Sequence, residues 1–292
     1  MQRLFFIPVL LLALGSVAHA QNATVSVLDL GATPFAQKSA DKLRERLRST
    51  VELLVADADL TRAAAKGIGY SGSLNLTVSE ARDLGAALAT NYYILGDAQT
   101  LRRSSSAKPV FYESYCSLFL VSARTGRLLM WNRPSIQSDQ AAEAENGLAA
   151  ALAGADLINH ITKAIRRARE DESVLRNLVA ARDEPVIEDA PEDEKLALAQ
   201  GLSLPRPYRR MRPEYPESAA RAEVEATVDV LVDVRADGEV GEVQIARWAG
   251  FGLDEITEAT VRQMHFFPAM KNGSPIPMRV LLRYNFRKPP RQ

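Results

Sequence analysis

Residues 227–240 read Thr-Val-Asp-Val-Leu-Val-Asp-Val-Arg-Ala-Asp-Gly-Glu-Val. Val228, Val230, Val232 and Val234 fall on one side of an extended chain and Asp229, Leu231, Asp233 and Arg235 on the other, the period-2 signature of a half-buried strand. Glycine takes positive φ at no steric cost, so Ala236-Asp237-Gly238 predicts a hairpin turn into a second strand, Glu239 to Arg247. Downstream, Leu253, Ile256, Ala259, Thr260 and Met264 recur at helical spacing, and Pro268 predicts the helix stop. Val280, Leu282, Tyr284 and Phe286 then alternate with Arg279, Leu281, Arg283 and Asn285, so Met278 to Phe286 predicts a third strand.

Upstream of this unit the composition changes. Arg182 to Glu194 gathers Asp183, Glu184, Glu188, Asp189, Glu192, Asp193 and Glu194 around Pro185 and Pro191. Such a run has too little apolar surface to offset its ordering entropy and predicts an exposed, mobile tether. Lys195 to Leu202 predicts a brief helix, and a basic cluster follows at Arg206, Arg209, Arg210 and Arg212, which could also fold back on the acidic run.

The first part of the chain alternates strands and helices. Val25 to Leu30 predicts a strand; Ala40, Leu43, Leu47 and Val51 form one face of a helix; Glu52 to Ala56 predicts a short buried strand and Leu60 to Lys66 a helical turn. Gly67 to Asn75 predicts a loop, and Thr77 with Glu80 a capping box opening a helix with Ala81, Leu84 and Leu88 inward. Strands are expected at Tyr92 to Leu101, Val110 to Ser122 and Leu128 to Asn132, followed by an Ala-rich helical region, Asp139 to Arg169, with a break at Gly154.

A chain of 292 residues can hold two cores. Its 36 basic and 36 acidic residues cancel, so no global field steers it to nucleic acid or anionic lipid. Arg3, the apolar run Leu4 to Val17, and Ala18-His19-Ala20 predict a cleaved secretory signal, hence a periplasmic protein. The run is shorter than the roughly twenty residues that span a bilayer. An intact segment would instead anchor the chain in the inner membrane. Cys116 is the single cysteine and, inside an apolar strand, is read as a buried hydrophobe.

Two resemblances follow from these residues. Tyr215-Pro216 with Ala219 and Ala220, the Val228 to Val234 strand, Asp237-Gly238-Glu239-Val240, Leu253-Asp254-Glu255, Phe267-Pro268-Ala269 and Asn272-Gly273 together resemble the C-terminal domain of TonB-type energy transducers. Two places depart from that pattern: Val224-Glu225-Ala226 stands where the family has a glycine, and Trp248-Ala249-Gly250-Phe251 replaces a Ser-rich turn. Residues 24 to 168 resemble the periplasmic α/β domain of CsgG-type secretion components, shared by the TolB N-terminal domain and by outer-membrane activators of cell-wall synthases. That resemblance is carried by the first strand, Val51 to Leu60, Ala81-Arg82-Asp83-Leu84-Gly85 through Tyr92-Tyr93-Ile94-Leu95-Gly96, and Thr125-Gly126-Arg127-Leu128-Leu129. Gly85 and Gly96 are read as a close-packed helix end and a bulge or strand crossing.

The expected class is therefore α+β. A signal peptide occupies 1–20, an α/β sandwich-type domain with a mixed sheet 21–169, an acidic linker 170–206, and a small domain with a three-stranded antiparallel sheet and helices 207–288. The resemblance implies that the last strand lies at a sheet edge, where unpaired N–H and C=O groups can accept a guest strand. Arg279, Leu281, Arg283, Tyr284, Asn285 and Phe286 are the expected partner-binding residues, and Tyr215, Pro216, Asp237, Gly238, Phe267 and Pro268 the structural motif. Trp248 and Phe251 are read either as interface candidates or as core and rim packing.

Chemistry has little to stand on. His160 and His265 have no Cys, Asp or Glu at metal-ligand spacing, and Gly69-Tyr70-Ser71-Gly72-Ser73 lacks the closing glycine of a nucleophile elbow. No phosphate loop or dinucleotide fingerprint occurs, and Arg102-Arg103 with Lys108 reads as a solvated loop. No catalytic residue, metal or cofactor is expected. The expected role is a non-catalytic periplasmic adaptor that binds an envelope protein, an outer-membrane receptor or assembly component, by edge-strand addition. Alternatives are a structural or regulatory part of a secretion or cell-wall assembly, with the C-terminal module forming a homodimer, and an anchored energy transducer if the leader is retained.

Overall fold

The computed structural model describes residues 22–104, 109–179, 187–191, 194–199 and 201–288. The expected leader, Lys108 and most of the acidic run lie outside the described residues.

The first unit runs β1 (Ala23–Val27), α1 (Pro34–Arg48), β2 (Leu53–Val55), α2 (Ala58–Gly67), α3 (Val78–Leu88), β3 (Tyr92–Arg103), β4 (Phe111–Ser122), β5 (Leu128–Asn132), β6 (Ser135–Ser138), α4 (Ala141–Leu152) and α5 (Ala155–Val179). The sheet order is β2-β1-β3-β4-β5 with β6 also on β4; β1 is parallel to β2 and β3, and the other pairs are antiparallel. Side-chain alternation sorts the strands onto two faces. Tyr92, Ile94, Leu118 and Leu120 meet Leu43, Leu47, Leu148 and Ile161 from α1, α4 and α5. Tyr93, Leu95, Phe119 and Val121 meet Ala65, Ala81 and Leu84 from α2 and α3. The Thr77–Glu80 capping box is present, with Thr77 Oγ1 accepting from Glu80 N–H at 3.1 Å. Gly154 does interrupt the terminal helices, but α5 continues well past Arg169. Its Glu172 accepts from Ser122 Oγ at 2.8 Å and Arg124 Nε at 2.9 Å, which ties the extra turns to the sheet.

Gly85 and Gly96 mark close packing. A Cβ at Gly85 would stand 2.5 Å from Ala123 Cα, and one at Gly96 2.2 Å from Ser117 O. Gly85 lies within α3 and not at its end, and Gly96 pairs with Leu118 in an unbroken β3–β4 register, so no bulge forms there.

The second unit runs α6 (Glu194–Ala199), β7 (Leu202–Ser203), β8 (Arg206–Pro207), α7 (Glu217–Ala222), β9 (Ala226–Val234), β10 (Val240–Arg247), α8 (Leu253–Val261), β11 (Phe266–Phe267), β12 (Ala269–Lys271), β13 (Ser274–Ile276) and β14 (Met278–Phe286). The expected three-stranded antiparallel sheet is β10-β9-β14, and β14 pairs with β9 residue for residue from Met278–Val234 to Phe286–Ala226. Val228, Val230, Val232 and Val234 are fully buried against Leu253, Val261, Met264 and Phe266. Each such side chain contributes about 1.5–3 kcal/mol by leaving water. The turn is as expected: Gly238 has φ +86° and donates to Arg235 O at 2.9 Å, while Asp237 Oδ1 accepts from Glu239 N–H at 3.0 Å.

The helix expected to reach Pro268 ends at Val261 instead. Phe266–Phe267 is extended and pairs with Arg206–Pro207, while Leu202–Ser203 pairs with β12. Main-chain pairing from outside the local sequence thus overrides the helical periodicity near Met264, and strands β7 and β8, upstream of the expected start at 207, join the second unit.

The two units share one apolar cluster, which joins Leu76, Phe119 and Val121 to Trp248, Ala249 and Phe251. Trp248 is 1% exposed; its Nε1–H donates to Gly126 O at 3.1 Å and its ring stacks on Phe119 at 5.9 Å. Phe251, 6% exposed, meets Phe119 at 5.6 Å and Trp131 at 5.2 Å. These two aromatics are therefore buried between the units and offer no surface to a partner.

Candidate protein-binding edge

The site is built on β14 because β9 uses only one side of it. Arg279 N–H and C=O point away from β9, since they bond Glu188 O at 2.9 Å and Ala190 N–H at 2.7 Å. Strand pleating then turns the main-chain groups of Leu281, Arg283 and Asn285 outward as well. Among the described residues no main-chain group bonds to those three from outside. Arg283 O accepts from the Arg210 guanidinium at 3.2 Å.

The six expected partner-binding residues divide by parity. Tyr284 and Phe286 turn their side chains into the core, at 7% and 8% exposure, and their main-chain groups face β9. The Tyr284 hydroxyl lies 3.5 Å from Met264 Sδ, and the Phe286 ring lies 6.3 Å from Tyr215. A guest strand at the outer edge can reach neither. Leu281 is 53% exposed. Asn285 Oδ1 accepts from Thr227 Oγ1 at 2.8 Å.

Arg279 and Arg283 line the solvent face with two inward neighbours. Arg279 grips Asp233 through Nε at 2.6 Å and a second nitrogen at 3.0 Å, and Arg283 grips Asp229 at 2.7 and 3.0 Å. Arg247 Nε adds a third contact to Asp229 at 3.3 Å. Burial of the Asp229 carboxyl would raise its pKa, but the hydrogen bonds and charges of Arg283 and Arg247 outweigh that and hold it below the usual carboxylate range. The carboxylates of β9, read as the solvent side of the strand, are buried beneath arginines: Asp229 is 3% and Asp233 5% exposed. The bidentate pairs fix the arginine stems flat across the sheet.

The structural motif frames this edge. The Tyr215 hydroxyl donates to Val224 O at 2.5 Å and lies 3.3 Å from Ala219 O, which fastens α7 beside the end of β14; Pro216 caps that helix. Phe267, followed by Pro268, is 59% exposed and packs on Tyr208 at 4.2 Å between ring centres. His265 Nδ1 lies 3.1 Å from Glu239 Oε1, beyond the helix end.

Sequence reasoning missed Glu188, Asp189, Ala190 and Arg210. The tether residues 188–190, expected to be loose, form a parallel bridge with Arg279, and the acidic charge of Asp189 lies toward Arg279. The acidic run and the basic cluster were visible as charge; nothing in their spacing indicated a strand rung. Elsewhere Cys116 is buried, which pushes its thiol up, and His160 is exposed. Among the described residues no cluster of His, Cys, Asp and Glu is arranged to hold a metal, and no helix is long and apolar enough to cross a membrane.

Residues 211–287 match the family model of the Gram-negative bacterial TonB protein C-terminal domain. Residues 211–287, within the second unit, thus form a TonB-type C-terminal domain. Among solved structures, the chain is similar to the solution structure of the Pseudomonas aeruginosa TonB C-terminal domain, at 22% identity over 31% of this chain and 92% of that one, with a TM-score of 0.27. It is also similar to the LpoB C-terminal domain of Salmonella enterica, at 15% identity over 40% and 84%, TM-score 0.29. A hypothetical protein of Chlamydia trachomatis aligns at 10% identity over 49% and 95%, TM-score 0.33. A comparison with curated proteins gives no match. The resemblance of residues 24–168 to CsgG- and TolB-type domains rests on sequence motifs alone.

Proposed function

We propose that this protein is a non-catalytic periplasmic adaptor whose TonB-type domain engages an envelope protein by adding a strand to the outer edge of β14. The observation that carries the reading is the alternation of outward main-chain groups at Leu281, Arg283 and Asn285 on a strand otherwise paired in full with β9. Each main-chain bond to a guest is worth a net of roughly 0.5–1.5 kcal/mol, and after the cost of association four or five of them support micromolar-range capture. That suits a reversible contact.

A proline at the edge is the direct test. Arg283→Pro removes an outward N–H but also strips Asp229 of its bidentate partner, so its effect would mix binding with stability. Leu281→Pro is cleaner, because Leu281 is exposed and its N–H faces away from β9. Purified wild-type chain should retain an envelope protein from an outer-membrane extract, and Leu281→Pro with an unchanged circular-dichroism spectrum should lose it. Undiminished capture by the folded variant would rule out the edge.

A further inference from the structure

The outer edge of β14 already carries one rung of foreign strand, supplied by the chain itself. Arg279 N–H donates to Glu188 O at 2.9 Å, Ala190 N–H donates to Arg279 O at 2.7 Å, and the rung is parallel. The Glu188 and Asp189 side chains are exposed, and Asp189 adds its field to that of Asp233 at the Arg279 guanidinium. Farther along the same edge Arg210 reaches Arg283 O, and its chain neighbours Arg209 and Arg212 are exposed. The edge thus carries the Arg210 guanidinium at one place and, at Arg279, an acidic segment of the chain.

We propose that Glu188–Ala190 is an internal placeholder, so that β14 takes an acidic, extended guest peptide in parallel orientation and the chain's own linker competes with it for the rung at Arg279. This rests on the reading of the β14 edge as the binding site. A single rung has only two main-chain bonds. A guest that continues past it to Leu281 and Arg283 makes more of them, and so displaces the placeholder. The linker thereby caps part of an edge that would otherwise template non-specific pairing.

The test uses the full chain and Ala190→Pro, which removes the N–H donated to Arg279 O without touching β14. The probe is a synthetic, end-blocked peptide of residues 186–192, Val-Ile-Glu-Asp-Ala-Pro-Glu. Amide hydrogen exchange at Arg279 should be slow in the wild type and roughly tenfold faster in the variant, in keeping with the loss of about two net hydrogen bonds. The peptide should bind the variant roughly tenfold more tightly than the wild type and slow exchange at Arg279 and Leu281. A peptide carrying E188K and D189K should bind several-fold more weakly, on the order expected for lost charge pairs at a partly exposed edge. Equal Arg279 exchange in the two proteins would overturn the placeholder while leaving edge binding intact. Release of Arg279 in the variant without peptide protection at Leu281 would instead overturn the reading of the edge itself.

Discussion

At the residue scale, three side-chain positions decide how firmly the C-terminal unit is built. A Cβ at Gly238 would stand 2.1 Å from Phe266 O, and the φ of +86° is itself costly for any other residue. Gly238→Ala is therefore expected to lower stability by about 2 kcal/mol or more, read as the shift in urea midpoint at constant m. Asp229 and Asp254 respond to pH in opposite directions. The folded Asp229 pKa is depressed, so its stabilisation is present above the ordinary carboxylate range and is lost as the pH falls through that lower folded value. Asp254 is buried, which pushes its carboxyl up to about 7 despite accepting Ala249 N–H and Gly250 N–H, each at 2.8 Å. Its folded form binds a proton that the unfolded chain has released, so its contribution falls as pH rises between about 4 and about 7. Asp254→Asn should flatten that part of the stability profile. It should also cost about 1–3 kcal/mol, because an amide nitrogen then faces one of the two N–H donors. Urea unfolding of both proteins at pH 4, 5.5 and 7 checks both effects.

At the scale of elements, the strands of the second unit were legible because binary alternation and one Asp-Gly turn specify them locally. The valine face of β9 and the full length of β14 follow from period 2, and the turn between β9 and β10 from the positive φ open to Gly238. The end of α8 was not legible, since Met264 continues the helical spacing while Phe266 and Phe267 are drawn into pairing with Arg206 and Pro207, about 60 residues upstream. The candidate site was legible only in part. Arg279, Leu281, Arg283 and Asn285 lie on the outward parity; Tyr284 and Phe286 lie on the inward one, a division that period 2 already contained. The rung made by Glu188 to Ala190 has no local signature, because an acidic, proline-flanked run reads as unstructured and only β14 gives it a partner.

On the whole molecule, the departure of Trp248-Ala249-Gly250-Phe251 from the Ser-rich turn of the family acquires a physical account: this is where the first unit docks. Gly250, at φ +72°, lets the chain pass so close to Phe119 that a Cβ would lie 2.7 Å from its ring. Asn75 clamps the same seam, donating to Thr227 O at 2.8 Å and Trp248 O at 2.7 Å and accepting from Thr227 N–H at 3.0 Å. Arg247 joins Asp229 of one unit to Asn75 O of the other, at 3.3 and 2.8 Å. The expectation of two bodies on a tether is thus incomplete, because a direct apolar seam also holds them. Trp248→Ala should cost about 3–5 kcal/mol and uncouple the units, splitting a single calorimetric transition into two. A single transition at unchanged temperature would show that the seam does not couple them.

A guest strand on β14 can cover only the outward amides. With a captured envelope segment bound, amide hydrogen exchange resolved residue by residue should show new protection at Leu281, Arg283 and Asn285, with none added at Val280, Leu282 and Tyr284, which β9 already holds. Protection spread over consecutive residues, or confined to sites away from β14, would contradict it.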